Sequence, residues 1–194
     1  MSLRHQFRTI HRKIAPIVFI PLILIAFTGI SFYIFTNWFG FSEEKGEIFL
    51  VIHQGEFLGD QLKPIYVVLA GLGLLGMIVT GLVIHPLFKD KSLAKITQNF
   101  NQRKFHILGS IILFFPLTIS VITGVSYRVA RSYFNLPKEQ AEIFLEIHQG
   151  EYLGSFLQSI YIILVGIGLI SLLITGIKMT SIFRPRRQLT NNNK

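Results

Sequence analysis

The chain has 194 residues, of which 51% are apolar and only 15% are charged, and its mean hydropathy is +0.52. This composition is too apolar for an ordinary soluble domain and predicts a membrane protein. The sequence contains no cysteine, which excludes disulfides, thiolate metal sites and iron–sulfur clusters, so any metal chemistry would depend on histidine, carboxylate or a bound cofactor. The net charge of +9 does not indicate nucleic-acid binding, because the basic residues cluster beside apolar runs, as membrane topology signals do.

The first predicted element is a membrane span over about residues 14–35, long enough to cross the ~30 Å hydrocarbon core as a helix. Basic residues precede this span, and Trp38 and Phe39 close it, as aromatic residues do at a membrane interface. The segment 47–57 then predicts a short amphipathic helix at the membrane surface. The second span covers about residues 64–85 and is rich in glycine, which lets a helix or a flat ligand approach its backbone closely.

A polar connector rich in lysine and arginine, residues 88–104, separates the two halves of the chain. The third and fourth spans are predicted over about residues 105–129 and 159–180, and a polar tail, 182–194, follows them. The N-terminal segment, the connector and the tail are basic, whereas most acidic residues lie in the two segments on the other side. The positive-inside rule therefore predicts that both termini are cytoplasmic.

The second half of the chain repeats the first at an offset of 95 residues. The stretch from Glu47 to Gly59 recurs nearly unchanged from Glu142 to Gly154. The same offset, with no gap, pairs His11 with His106, Pro21 with Pro116, Tyr66 with Tyr161, Thr28-Gly29 with Thr123-Gly124, and Thr80-Gly81 with Thr175-Gly176. Residues 11–87 and 105–181 are therefore two copies of one unit, and a doubled unit of this size predicts a single membrane domain over residues 1–194.

Each repeat is predicted to start on the cytoplasmic side, cross the membrane and return. The expected fold is an all-α membrane protein with four transmembrane helices from two repeats of parallel topology, and with short amphipathic extracytoplasmic helices. A pseudo-two-fold axis along the membrane normal would relate the repeats. Equivalent residues would then lie at equal depth.

Four histidines fall into two pairs under this symmetry. His11 and His106 lie at the cytoplasmic ends of spans one and three, and His53 and His148 lie on the opposite side, ahead of spans two and four. Two histidine pairs at different depths in a four-helix membrane bundle suit two haems of b type, each with its iron between facing imidazoles.

Helix geometry gives each of the first and third spans one face that carries a histidine and a glycine. Gly29 lies 18 residues, or five helical turns, after His11, and Gly124 lies 18 residues after His106. The residues between them on that face are Ala15, Val18, Leu22 and Ala26 in the first span, matched by Ser110, Leu113, Leu117 and Val121 in the third. Such a face is expected to hold one haem and to admit the edge of a second.

Each half resembles the PepSY-associated transmembrane family. The resemblance lies in the pair His11-Arg12 ahead of the first span, in a Thr-Gly near the end of each span, and in His53 followed by a glycine-containing turn. It implies transmembrane electron transfer like that of haem-containing inner-membrane reductases linked to iron-siderophore uptake, with the four paired histidines as axial ligands. His106 departs from the pattern because Ile107 follows it, and the extracytoplasmic segments have no room for a PepSY domain, which leaves the substrate site open.

Several other side chains have two interpretations each. Glu56 and Glu151 are either solvated acids or groups that orient an imidazole or the partner of a haem propionate. Arg128 and Arg131 have no counterparts in the first span and would pair either with haem propionates or with lipid phosphates. His85, which has no partner in the second half, is an alternative ligand on the cytoplasmic side, and the Thr-Gly pairs are read as packing devices.

The predicted function is a di-haem b-type membrane cytochrome. It would carry electrons from a cytoplasmic donor to an extracytoplasmic acceptor such as a ferric chelate, in the inner membrane of a bacterium. Whether that makes the chain an enzyme, a haem-dependent ferric-chelate reductase, stays open. Two other functions fit the same sequence: a non-catalytic small membrane subunit that stabilises a larger complex, and a carrier of divalent metal ions bound by the paired histidines.

Overall fold

A computed structural model of the chain describes residues 2–86 and 101–180, and within these ranges the protein is helical with no β-strand. The predicted all-α class is therefore confirmed for the described residues. The tail 182–194, and all of the connector 88–104 except its last four residues, lie outside them.

Long and short helices alternate along the described chain. The helices are α1 (Leu3–Tyr33), α2 (Glu43–Gln54), α3 (Lys63–Ile84), α4 (Gln102–Ile112), α5 (Phe114–Ser132), α6 (Lys138–Gln149) and α7 (Ser155–Lys178). A π-helical turn extends α1 to Trp38, and a single 3₁₀ turn follows each of α2 and α6. α2 covers residues 47–54 of the predicted surface helix 47–57, and it ends at Gln54 because Gly55 takes a left-handed conformation.

Three helices are long and apolar enough to cross a membrane: Leu3–Trp38, Lys63–Ile84 and Ser155–Lys178. The pair formed by α4 and α5 passes the same test if the two are counted as one span, although they meet at 60°. Large apolar side chains stay exposed on these helices, among them Ile17 at 75%, Phe115 at 72% and Phe156 at 75%. Such an apolar outer surface suits lipid rather than water.

The predicted third span, about residues 105–129, is broken at Leu113 instead of being continuous. Pro116 explains the position of the break, because the ring of a proline clashes with the carbonyl four residues earlier, here that of Ile112, where α4 ends. α1, in contrast, runs as one helix through Pro21, the residue equivalent to Pro116. No contact explains why Pro21 is accommodated without a break.

Glycines bring the long helices into close contact. A Cβ added to Gly71 of α3 would collide with Val125 of α5, and one added to Gly166 of α7 would collide with Ile30 of α1. These two contacts are equivalent under the 95-residue offset. In a membrane, where lipid tails are as apolar as leucine, close approach at small residues is a main source of helix association.

The face of α1 and α5 that was expected to hold haem is packed against other helices instead. Val18 and Leu113 lie against glycines of α3 and α7, since a Cβ at Gly73 would stand 2.5 Å from Val18 Cγ1, and one at Gly168 would stand 2.5 Å from Leu113 Cδ1. The core formed at this level consists of Val18, Leu22, Ala26, Ala70, Leu113, Leu117, Leu169 and Leu173. This core lies along α1 between the level of His11 and the level of Gly29, so it separates the two histidine pairs.

Gly166→Ala is expected to destabilise the bundle, because the new methyl group would force Ile30 away from α7. Overpacking of this kind costs about 1–3 kcal/mol. The apparent Tm in detergent, followed by a fluorescence or scattering readout, should fall.

Gly76→Ala is the matched control on α3. Its added Cβ would meet only Ile14 Cδ1 at 4.0 Å, an ordinary contact, so stability should be unchanged or slightly higher. Equal losses of stability in both variants would argue against close packing at Gly166.

Candidate functional site

His53 and His148 come together, as the sequence predicts for a pair at equal depth. Their ring centroids are 6.3 Å apart and the ring planes are inclined by 55°. Each ring is on the last turn of a short helix, α2 or α6. The helix ends at the next residue because Gly55 and Gly150, which follow, take left-handed conformations with φ of 72° and 70°. The His-Gln-Gly sequence thus ends the helix immediately after the histidine.

Both rings are fixed by hydrogen bonds to the backbone of a long helix. His53 Nδ1 lies 2.8 Å from the carbonyl oxygen of Ile25, and His148 Nδ1 lies 2.8 Å from that of Ser120. A carbonyl oxygen can only accept, so Nδ1 carries the proton in both rings. The lone pair is therefore on Nε2, which is the nitrogen left for a metal.

Gly29 and Gly124 make room for these two rings. A Cβ on Gly29 would stand 2.9 Å from His53 Cε1, and one on Gly124 would stand 3.0 Å from His148 Cε1. From the sequence, the helix face that carries each of these glycines is expected to admit the edge of a haem. The structure places an imidazole against each of them instead.

His11 and His106 are held by threonines. His11 Nδ1 lies 2.7 Å from Thr80 Oγ1, and His106 Nδ1 lies 2.9 Å from Thr175 Oγ1. Each threonine hydroxyl already donates its proton to its own helix, to Gly76 O and Ser171 O respectively, so it accepts from the histidine. All four paired histidines therefore carry the proton on Nδ1 and the lone pair on Nε2.

The glycines after these threonines repeat the arrangement of the first pair. A Cβ on Gly81 would stand 3.5 Å from His11 Cε1, and one on Gly176 would stand 3.2 Å from His106 Cε1. His11 and His106 are also close enough for the charge of His106 to act on His11. The glycine of each of the four Thr-Gly pairs thus contacts one imidazole, and the threonine of each pair donates a hydrogen bond to a carbonyl of its own helix.

The environment of His53 and His148 favours neutral rings. Burial, then the charge of His148, then that of Arg128, lowers the pKa of His53 to about 4, against the bond to Ile25, which raises it. Burial also lowers the pKa of His148. Both histidines are half-buried residues. A neutral imidazole with a free Nε2 is ready to bind a metal without losing a proton.

The other predicted site residues lie as follows. Glu56 and Glu151 are exposed, and the Nδ1 partners of the adjacent imidazoles are oxygens of α1 and α5 rather than these carboxylates. Arg128 is buried and donates to Gln54 Oε1, whereas Arg131 is exposed and donates to Leu136 O over 2.5 Å.

His85 differs from the paired histidines in the nitrogen that it uses. It is buried at the end of α3, and its Nε2 lies 3.3 Å from the carbonyl oxygen of Ile107 and so donates to it. The nitrogen that is free in the four paired rings is therefore engaged in His85.

Thr80 and Thr175, the hydrogen-bond partners of His11 and His106, are not among the site residues predicted from the sequence. The repeat contains a signal for this pairing, because histidine and threonine are separated by 69 residues in both halves. The sequence contains no such signal for the carbonyl groups of Ile25 and Ser120 as partners of His53 and His148, since every residue has a carbonyl group.

Comparison with protein-family models, with curated proteins and with solved structures gives no match to this chain. Within residues 2–86 and 101–180, no group of three or more His, Asp or Glu side chains is arranged to hold a metal ion.

Acid is expected to destabilise the protein through His53 and His148. Their folded-state pKa values lie below the ordinary value of 6.5, so the contribution is complete above pH 6.5 and is lost as the pH falls below that value, toward about 4 for His53. For His53 alone the loss is at most roughly 3 kcal/mol. Thermal unfolding in detergent at pH 7 and pH 4.5 measures it.

His53→Gln and His148→Gln should each flatten this pH dependence, and His5→Gln, at an exposed position, should leave it as in the wild type. If stability depends on pH as in the wild type in both His53→Gln and His148→Gln, the loss of stability in acid does not come from these two histidines.

Proposed function

We propose that the chain is a di-haem b-type membrane cytochrome, with one haem between His53 and His148 and a second between His11 and His106. It would carry electrons from a cytoplasmic donor to an extracytoplasmic acceptor, with a ferric chelate as the acceptor class. The observation that supports the proposal is the close approach of His53 and His148, whose ring centroids are 6.3 Å apart.

This separation suits one metal ion shared by two imidazoles. A transition metal binds an imidazole nitrogen at about 2.0 Å, and the ring centroid lies roughly 1.1 Å behind that nitrogen, so the two centroids would be about 6.2 Å apart. His53 and His148 would each supply one nitrogen to such an ion. A haem iron needs only these two protein ligands, which fits a site with histidines in pairs.

The hydrogen bonds of all four rings support ligation through Nε2. Metal-binding histidines donate the proton of their other nitrogen to a carbonyl, a carboxylate or water, which fixes the tautomer and makes the ligand more basic. Here carbonyls accept from His53 and His148, and threonine hydroxyls accept from His11 and His106. When bound, a b-type haem supplies one-electron redox chemistry. The chain would fix its ligation, spacing and surroundings.

The spacing of the two sites along α1 suits electron transfer across the apolar core. His53 is bonded to Ile25, which is 14 residues after His11, so the two levels are ~21 Å apart along the helix at ~1.5 Å per residue. This is less than the ~30 Å thickness of the hydrocarbon core. Phe19 packs against the core cluster between these levels and would place an aromatic ring between the two sites.

We extend the proposal to the orientation of the chain in the membrane and to the symmetry of its two halves. Both termini would be cytoplasmic in a bacterial inner membrane, with a pseudo-two-fold axis along the membrane normal relating the halves. The equivalent contacts His53–Ile25 and His148–Ser120, and His11–Thr80 and His106–Thr175, support such an axis. The resemblance to the PepSY-associated transmembrane family belongs to the same proposal and is the reason for naming a ferric chelate.

Oxidised and reduced visible spectra of the detergent-purified protein test the proposal. We expect a b-type spectrum with two haems per chain. His53→Ala and His106→Ala should each lose one haem, because each variant removes one ligand of a different pair. A pyridine haemochrome assay gives the stoichiometry.

His5→Ala and His85→Ala serve as controls and should keep both haems. If His85→Ala loses one, His85 is a ligand in place of His11 or His106. A folded protein that stays colourless with haem supplied would refute the cytochrome and favour a small structural subunit of a membrane complex. Stoichiometric binding of a bare divalent ion by a colourless protein would favour the metal carrier.

A further inference from the structure

Arg128 is a buried cation beside the His53 and His148 pair. Its side chain is 7% exposed, and it lies one helical turn beyond Gly124, the residue on which His148 rests. It donates to Gln54 Oε1, and Gln54 follows His53 directly. Residues four apart on a helix share a face, so Arg128 lies on the face of α5 that meets His148, toward the extracytoplasmic end in the proposed topology.

No carboxylate of the described residues neutralises Arg128. The one ion pair within 4.0 Å in residues 2–86 and 101–180 is that of Lys63 with Asp60. The charge of Glu56 acts on Arg128 from a greater distance, and Glu56 is exposed. A neutral amide oxygen satisfies only part of a guanidinium, which has five N–H donors. A buried charge without a counter-ion is costly, so this position favours an anion.

The two halves differ at this point. The residue of α1 equivalent to Arg128 is Tyr33, whose hydroxyl lies 2.7 Å from Ser159 Oγ. Arg131, three residues after Arg128, is exposed and is bonded to the backbone of its own loop. Arg131 therefore suits solvent or lipid phosphate, whereas Arg128 is withdrawn from both.

We propose that Arg128 binds a propionate carboxylate of the haem held by His53 and His148. The inference rests on the proposed function and adds a positioning residue to it. A guanidinium binds a carboxylate through two parallel N–H···O bonds, a strong arrangement where water is excluded. Its positive charge also favours the reduced haem, which is less positive than the oxidised form.

Titration of the full-length apoprotein in detergent with haem b and with haem b dimethyl ester tests this, because the ester lacks propionate charges. In the wild type, the binding step that His53→Ala abolishes should prefer haem b by roughly ten- to hundredfold. Arg128→Gln should remove most of this preference, and Arg128→Lys should keep part of it. The reduction potential of the same haem should fall in Arg128→Gln.

Two controls separate this role from a structural one. Arg131→Gln removes a charge nearby and should keep the wild-type preference and potential. Gln54→Ala removes the neutral partner of Arg128 and should also keep the preference.

If Arg128→Gln weakens the binding of haem b and of its dimethyl ester equally, the preference for haem b survives the substitution. That result would overturn the propionate site while leaving the cytochrome in place. If neither haem b nor its dimethyl ester shows a binding step that His53→Ala abolishes, the cytochrome is overturned and this inference with it.

Discussion

The hydrogen bond from each paired imidazole to an oxygen of a neighbouring long helix is the constraint that organises this protein. It sets the tautomer, aims the ring and couples the short helices α2 and α6 to α1 and α5. The same bond at His11 and His106 ties α1 to α3 and α4 to α7. Inside an apolar bundle an imidazole without such a partner would be costly, so these bonds fix both the local structure and the chemistry of the site.

Glycine is what allows those bonds to form. Four imidazoles rest against Gly29, Gly81, Gly124 and Gly176, and other glycines bring the long helices together around the core. A bilayer gives little hydrophobic drive for helix association, so packing at small residues and polar bonds between helices supplies much of the cohesion. The glycines therefore serve stability and the site together, and the core packed between the two histidine levels sets the distance between them.

The two halves share their histidine contacts but differ at other positions. Such differences suit a protein that moves electrons in one direction across a membrane. Arg128 stands where α1 has Tyr33, α5 is separated from α4 by a 60° break, and His85 is buried where the second half has Thr180. An electron carrier with identical halves would offer the same surroundings to both members of each histidine pair. In the proposed cytochrome, the buried cation of Arg128 would orient the outer haem and raise its reduction potential.

The sequence by itself determined the helical class, the approximate spans and the pairing of His53 with His148, because hydropathy and an ungapped repeat are properties of the chain. It did not determine that the face around Val18 and Leu22 is packed core rather than a cofactor surface, since both uses require apolar side chains. The break at Leu113, the partners Thr80 and Thr175, and the burial of Arg128 were also decided only by the tertiary structure. Each depends on how helices distant in sequence cross, and that crossing decides which oxygen meets an imidazole and which charge is withdrawn from water.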